Sequence, residues 1–166
     1  MKASLDERYH QLLAAHGPAL SRLSASYTRT PSDRDDLFQD IALAIWRALP
    51  NFRGESSEKT FIFRVAQNRA VTYLAQRRPP MASDEEIDLP DPRPNPEKGF
   101  VREQQETRLL EAIQRLPVEY RQVITLTLED MSYSEIAEVL GIGESNVGVR
   151  LNRAREMLRL LMEVEK

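Results

Sequence analysis

The 166-residue chain contains no cysteine and only two histidines, His10 and His16. Without cysteine it forms no disulfide, offers no thiolate nucleophile and builds no Cys-based zinc site. The histidines stand more than one helical turn apart, and Gly17-Pro18 interrupts the second position, so both read as surface residues rather than metal ligands. No apolar run is long enough to cross a bilayer, and no membrane insertion is expected. The N-terminal MKASLDERYH is too polar for a secretory leader, which makes the cytoplasm the expected compartment. There is no glycine-rich phosphate loop, no H-E-x-x-H, no EF-hand loop and no G-x-S-x-G. Adjacent acids such as Asp35-Asp36 sit near a helix start, where the macrodipole favours them. No catalytic residue, metal site or cofactor is expected, and the chain does not read as an enzyme.

What is present is helical. Charged residues make up 30% and hydrophobic residues 41%, which suits a folded globular protein. The net charge of −3 argues by itself against a nucleic-acid partner, but its distribution argues the other way. Basic residues outnumber acidic ones from Met1 to Pro80. Acids gather between Asp84 and Glu106, and Arg150, Arg153, Arg155 and Arg159 recur near the C-terminal end. A DNA backbone meets local patches, not the total.

Two helical blocks flank a stretch that neither helix nor central strand survives, PPMASDEEIDLPDPRPNP from Pro79 to Pro96. It reads as an acidic, extended linker. The expected organisation is all-α, with small helical domains at residues 1–78 and 99–166 and a linker at 79–98. In the first domain the pattern predicts helices over Leu5–Ala15 and Ala19–Tyr27, divided at Gly17-Pro18. A third, capped by Ser32 or Asp33, runs to about Leu49. After the loop NFRGESS a fourth, capped by Ser56 or Ser57, runs to about Arg78. On its helical wheel Ile62, Phe63, Ala66 and Ala70 share one side, and Thr60, Arg64, Gln67 and Asn68 the other.

The second domain carries the more specific pattern. A helix over about Phe100–Arg115 precedes one with Pro117 in its first turn, ending near Leu128. Ser132 and Glu135 form an S-x-x-E capping box for a short helix over Tyr133–Leu140, and Gly141 suits the left-handed residue after it. A last helix starts near Glu144 and buries Val147, Leu151, Ala154 and Leu158. Ala137 is small where two helices cross, Gly141 makes the turn, and Val147 packs the second helix on the first. This is a helix-turn-helix pattern, and its outward Asn and Arg side chains match base edges and phosphates.

Taken in order, the two blocks resemble a bacterial RNA polymerase sigma factor of the extracytoplasmic-function (ECF) group. DRDDLFQDIALAIWRALPNFRG and FIFRVAQNRAVTYLAQRR resemble the family's region 2, and LPVEYRQVITLTLEDMSYSEIAEVLGIGESNVGVRLNRARE resembles region 4. The resemblance implies a subunit that binds core RNA polymerase through the β′ clamp and the β subunit and directs transcription initiation at promoter DNA. An anti-sigma factor is a further partner that the family allows. Asp36, Leu37, Gln39, Asp40 and Trp46 are the implied polymerase-docking residues, with Leu37 expected in the core in any case. Asn51, Phe52, Arg53, Arg64, Gln67 and Asn68 are the implied readers of the −10 element. Asn146, Arg150, Asn152, Arg153 and Arg155 are the implied readers of the −35 element.

The chain departs from the family pattern at several positions. Phe61 stands where Trp is usual, Gln67 where Arg is common, Thr72 where Asp is usual, and Gly148-Val149 where a basic residue and Ser are common. Two other readings remain open from the sequence: a stand-alone LuxR-like helix-turn-helix regulator, or a degenerate sigma-like protein that binds a partner. The first leaves the N-terminal motifs unexplained.

Overall fold

The computed structural model describes residues 3–77 and 101–164, and the Pro79–Pro96 linker lies outside them. Every regular element among the described residues is helical, as the periodicity predicts. Helix α1 (Leu5–Ser26) starts at a capping box. The Ser4 hydroxyl accepts from the Glu7 N–H, and the Glu7 carboxylate accepts from the Ser4 N–H. The sequence predicts two helices here, but the chain forms one, with Pro18 inside it. Pro18 removes the hydrogen bond to the Ala14 carbonyl. Both residues are exposed, so water satisfies that carbonyl. Leu12 before the proline and Leu20 and Leu23 after it are buried together, and this packing carries the helix through.

Helix α2 (Pro31–Ala48) is capped by Thr30, not by Ser32 or Asp33. The Thr30 hydroxyl accepts from the Asp33 N–H, and Pro31 takes the first helical position, where its missing donor costs nothing. A 3₁₀ turn over Leu49–Asn51 ends the helix. Helix α3 (Glu58–Arg77) starts after Ser57, whose hydroxyl oxygen accepts from the Thr60 N–H.

The second half holds α4 (Val101–Arg115), α5 (Val118–Leu128), α6 (Tyr133–Leu140) and α7 (Glu144–Val164). Pro117 sits one residue outside α5, at its cap. The Ser132–Glu135 capping box forms on α6, and Gly141 adopts φ +69° behind it. A side chain there would be strained, which is why glycine makes this turn.

The two halves meet through one continuous hydrophobic core. Leu37, Ile41, Ile45, Ile62 and Phe63 build its first part, and Val123, Leu126, Ile136 and Leu151 its second. The polar contacts between the halves follow a common rule. The last carbonyls of a helix have no partner within it, and side chains of the other half cap them. The Gln114 amide donates to the Ala25 and Thr28 carbonyls at the end of α1, at 2.9 and 2.7 Å. Lys59 donates to the Glu129 carbonyl at the end of α5, at 3.0 Å. Arg64 donates to the Glu138 carbonyl in the last turn of α6, at 3.0 Å. Cations at helix C-termini also meet the negative end of the macrodipole. Arg22 adds a bidentate pair to the Glu129 carboxylate, with both contacts at 2.8 Å.

Candidate nucleic-acid interface

Three surfaces carry the residues singled out from the sequence. On α2, Asp36 and Gln39 are exposed, Asp40 is half-buried and Leu37 is fully buried. Leu37 is therefore a core residue, and the polar three form the accessible face. Asp40 is engaged by Arg69 of α3, which donates to it from both Nε and Nη2. The two flank a surface groove lined also by Leu43, Ala44 and Arg47. Trp46 packs edge-on against Tyr9 of α1, with ring centroids 5.0 Å apart. Its ring thus joins α2 to α1 and is only partly available to a partner.

The second surface combines the loop after α2 with α3. Asn51 and Arg53 are exposed, and Gly54 turns the chain at φ +78°. Phe52 and Phe61 stack on each other at 4.6 Å, and the Arg8 guanidinium lies over Phe52 at 5.3 Å. Both rings are half-buried, so each contributes to packing and leaves an edge in solvent. Asn68 is exposed, and Thr72 donates back to its carbonyl.

Gln67 is different. The sequence groups it with the outward side, but at about 100° per residue it flanks the core face one turn after Phe63, and it is only 1% exposed. The cover is the second half of the chain. The Tyr27 hydroxyl donates to Gln67 Oε1 at 2.8 Å, and Gln67 Nε2 donates to the Thr125 hydroxyl at 3.0 Å. Thr125 passes its own proton to the Gln122 carbonyl. Each hydroxyl and both ends of the amide are therefore satisfied, as burial demands. Burial pushes the Tyr27 phenol well above its usual range, which keeps it protonated as the donor. Arg121 lies over the Tyr27 ring at 5.3 Å and donates to the Gln114 and Leu116 carbonyls around the end of α4.

This burial accounts for one departure from the family pattern. A neutral amide is accommodated in such a site once both its ends are hydrogen-bonded, whereas an arginine would bring an uncompensated charge. Thr60, one more residue of the predicted outward side, is also enclosed at 1% exposure. No sequence motif marks Tyr27, Thr125, Gln114 or Glu129 as partners of this face. The one signal that pointed toward them was the glutamine in an arginine position.

The third surface is the outward side of α7. Val147, Leu151 and Ala154 are fully buried, and the turn at Gly141 sets α7 against α6. Ser145, Asn146, Val149, Asn152, Arg153 and Arg155 are exposed, and Arg150 is half-buried on the flank. Arg159 pairs with Glu163 one turn later, at 3.3 Å. The result is an uncovered helix face with amides, guanidinium groups and one apolar side chain. A helix of this width fits the DNA major groove, and these groups complement base edges and phosphates. The face is fixed by an 8-residue helix and a glycine turn behind it, the arrangement expected from the sequence.

Comparison with known proteins agrees with both halves. Residues 12–79 match the family model for sigma-70 region 2, and residues 106–158 match that for sigma-70 region 4. The ECF RNA polymerase sigma-E factor of Haemophilus influenzae is 34% identical over 152 residues, covering 83% of this chain and 80% of that protein. The RNA polymerase sigma factor NccH of Alcaligenes xylosoxydans is 31% identical over 161 residues, covering 93% of this chain and 87% of that protein. Among solved structures, CnrH in complex with the cytosolic domain of CnrY has a TM-score of 0.72 at 27% identity, covering 97% of this chain and 91% of that one. The sigma factor RpoE of Bartonella quintana, solved with the anti-sigma factor NepR, shares the fold at a TM-score of 0.71 and 20% identity. The chain belongs to the ECF group of RNA polymerase sigma factors, the subunits that bind core RNA polymerase and direct promoter recognition.

Proposed function

We propose that the first half docks on core polymerase and reads the −10 element, and that the second half reads the −35 element. On this reading residues 1–78 and 99–166 act as separate modules on the promoter, with 79–98 as the tether between them. The uncovered face of α7, behind its glycine turn, is the observation that carries the reading. Asn146, Arg150, Asn152, Arg153 and Arg155 contact the major groove and its phosphates. Asp36, Gln39 and Asp40 hold the β′ clamp, and Leu37 and Trp46 support them from beneath; the β subunit receives the second half. Asn51, Phe52, Arg53, Arg64, Gln67 and Asn68 meet the opened −10 strand, where cationic contact and stacking hold unpaired bases.

With Gln67 enclosed and Arg64 bonded to α6, that last surface is not free in the described arrangement. The halves therefore part when polymerase takes hold of them. The free chain, closed and at net charge −3, binds DNA weakly and reads it once mounted on the enzyme. Joining two weak readers on one scaffold then makes the second contact intramolecular. The chain performs no chemistry of its own and works in the cytoplasm, where polymerase is found. Among the described residues no helix is long and apolar enough to cross a membrane. An anti-sigma factor is a fitting further partner, as for the RpoE–NepR pair.

The test is co-purification with bacterial core RNA polymerase followed by transcription from a promoter library. Initiation that depends on the chain is the expected result. Tight, sequence-specific duplex binding without polymerase would instead favour the stand-alone regulator. Loss of core binding from a folded Asp36→Ala/Gln39→Ala variant supports the docking face, and unchanged affinity rejects it.

A further inference from the structure

Val149 is the feature of α7 that its promoter-reading chemistry leaves unexplained. The buried stripe of this helix is Val147, Leu151, Ala154 and Leu158. At about 100° per residue, Val149 lies almost diametrically opposite the middle of that stripe. Its side chain is 49% exposed. One turn before it stand Ser145 and Asn146, and one turn after it Asn152 and Arg153, all exposed. An apolar, β-branched side chain thus occupies the centre of an otherwise hydrogen-bonding face.

Its surroundings keep that position open. Gly148 beside it carries no side chain, and a Cβ there would meet the Tyr133 ring at 3.5 Å. Tyr133, at the start of α6, is itself 44% exposed and flanks the face with an aromatic edge. No long side chain at position 148 holds the helix away from a partner. Valine can neither donate nor accept a hydrogen bond, so it has nothing to offer a phosphate or a polar base edge. The one major-groove feature that complements it is the C5-methyl group of thymine. Its restricted χ1 presents the methyl groups with little entropy left to lose.

We propose that Val149 is a specificity-determining residue that selects thymine at one position of the −35 element. Asn146, Arg150, Asn152 and Arg153 supply the hydrogen bonds around it. The inference rests on the reading of α7 as the −35 helix.

The experiment compares the full-length chain with its Val149→Ser variant, each on bacterial core polymerase. Transcripts are selected from a promoter library randomised in the upstream element. The selected thymine is then replaced by deoxyuridine, which removes the methyl group and nothing else. The wild type is expected to enrich thymine at one position and to lose about three- to fivefold in initiation on deoxyuridine, the worth of one buried methyl. The variant is expected to show a flattened preference there and no response to deoxyuridine, with unchanged melting temperature and core affinity. An unaltered preference in the variant, or wild-type indifference to the methyl group at every enriched thymine, overturns the inference. If initiation occurs but the library shows no base preference at any upstream position with either protein, the −35 reading itself fails and takes the inference with it.

Discussion

Helices α3 and α7 both carry a face that the sequence marks as DNA-facing, and the fold treats the two faces differently. The outward side of α7 is bare, from Ser145 through Arg155. The matching side of α3 is half covered: Thr60 and Gln67 are enclosed, while Asn68 and Arg64 are exposed and Arg64 is tied to the Glu138 carbonyl. A polar helix face therefore marks what can meet water or DNA, not what does so in a given state. What separates the two is the kind of polar group. The enclosed part of α3 is a neutral amide, which hydroxyl partners satisfy at both ends, and a threonine hydroxyl that accepts from Ser57. α7 offers several guanidinium groups and amides on one face, with no facing element among the described residues. Enclosing that face would cost far more.

The sharpest way to break the contrast is to put a charge where the amide is. Gln67→Arg restores the residue common in the family and leaves an unpaired guanidinium between Tyr27 and Thr125. It is expected to cost the closed arrangement several kcal/mol. A rise in the radius of gyration by small-angle scattering, with helix content retained, is the expected readout. The milder Thr125→Val leaves the Gln67 amide N–H without its acceptor, a loss of about 1–3 kcal/mol, and should produce a smaller shift in the same direction. An unchanged envelope in both variants would mean that the amide does not hold the halves together.

On the bare side, Arg150→Ala/Arg153→Ala should reduce promoter-dependent initiation at least about tenfold, since one good base contact is worth roughly 1–3 kcal/mol. Core affinity should stay the same. Full activity in that variant removes the two arginines from the reading face.

Gly148→Ala should have the next largest effect, of opposite sign. The new methyl has room, because its nearest neighbour would be Tyr133 at 3.5 Å. Replacing a mid-helix glycine should stabilise by about 1 kcal/mol, a rise in Tm of roughly 2–4 °C. A fall in Tm by calorimetry would show that α7 tolerates no side chain there.

The smallest expected effect is a pH dependence at the α6 cap. Backbone hydrogen bonding to Ser132 holds the Glu135 carboxyl below its ordinary value of 4.5. A depressed carboxylate contributes stability that is complete above the unfolded value and is lost as the pH falls through the folded one. Glu135→Gln keeps a cap acceptor without a charge. The stability difference between wild type and variant should be flat above about pH 5 and shrink toward pH 3. A difference that stays constant across that range counts against the carboxylate's part in the cap.

Much of the second half was legible because its signals are local. The Ser132–Glu135 box, Gly141 and the Val147–Leu158 stripe each act within a few residues, and all formed as predicted. The first half was less so where packing overrode local preference. Pro18 should have split α1, yet Leu12, Leu20 and Leu23 hold it together. Thr30 displaced two plausible caps because Pro31 fits the first helical position. Of the predicted site residues, Leu37 went to the core as expected, while the enclosure of Gln67 depended on residues 40 and 58 positions away in sequence.

The order of amino acids alone settled most of the helices, the α6–α7 turn geometry and the membership of a family, because caps, left-handed glycines and apolar spacing are short-range properties of the chain. Only the tertiary structure decided which of two polar faces lies open and which is covered. That choice turns on whether distant hydroxyls, amides and helix-end carbonyls can satisfy one another at once, and no local pattern encodes it.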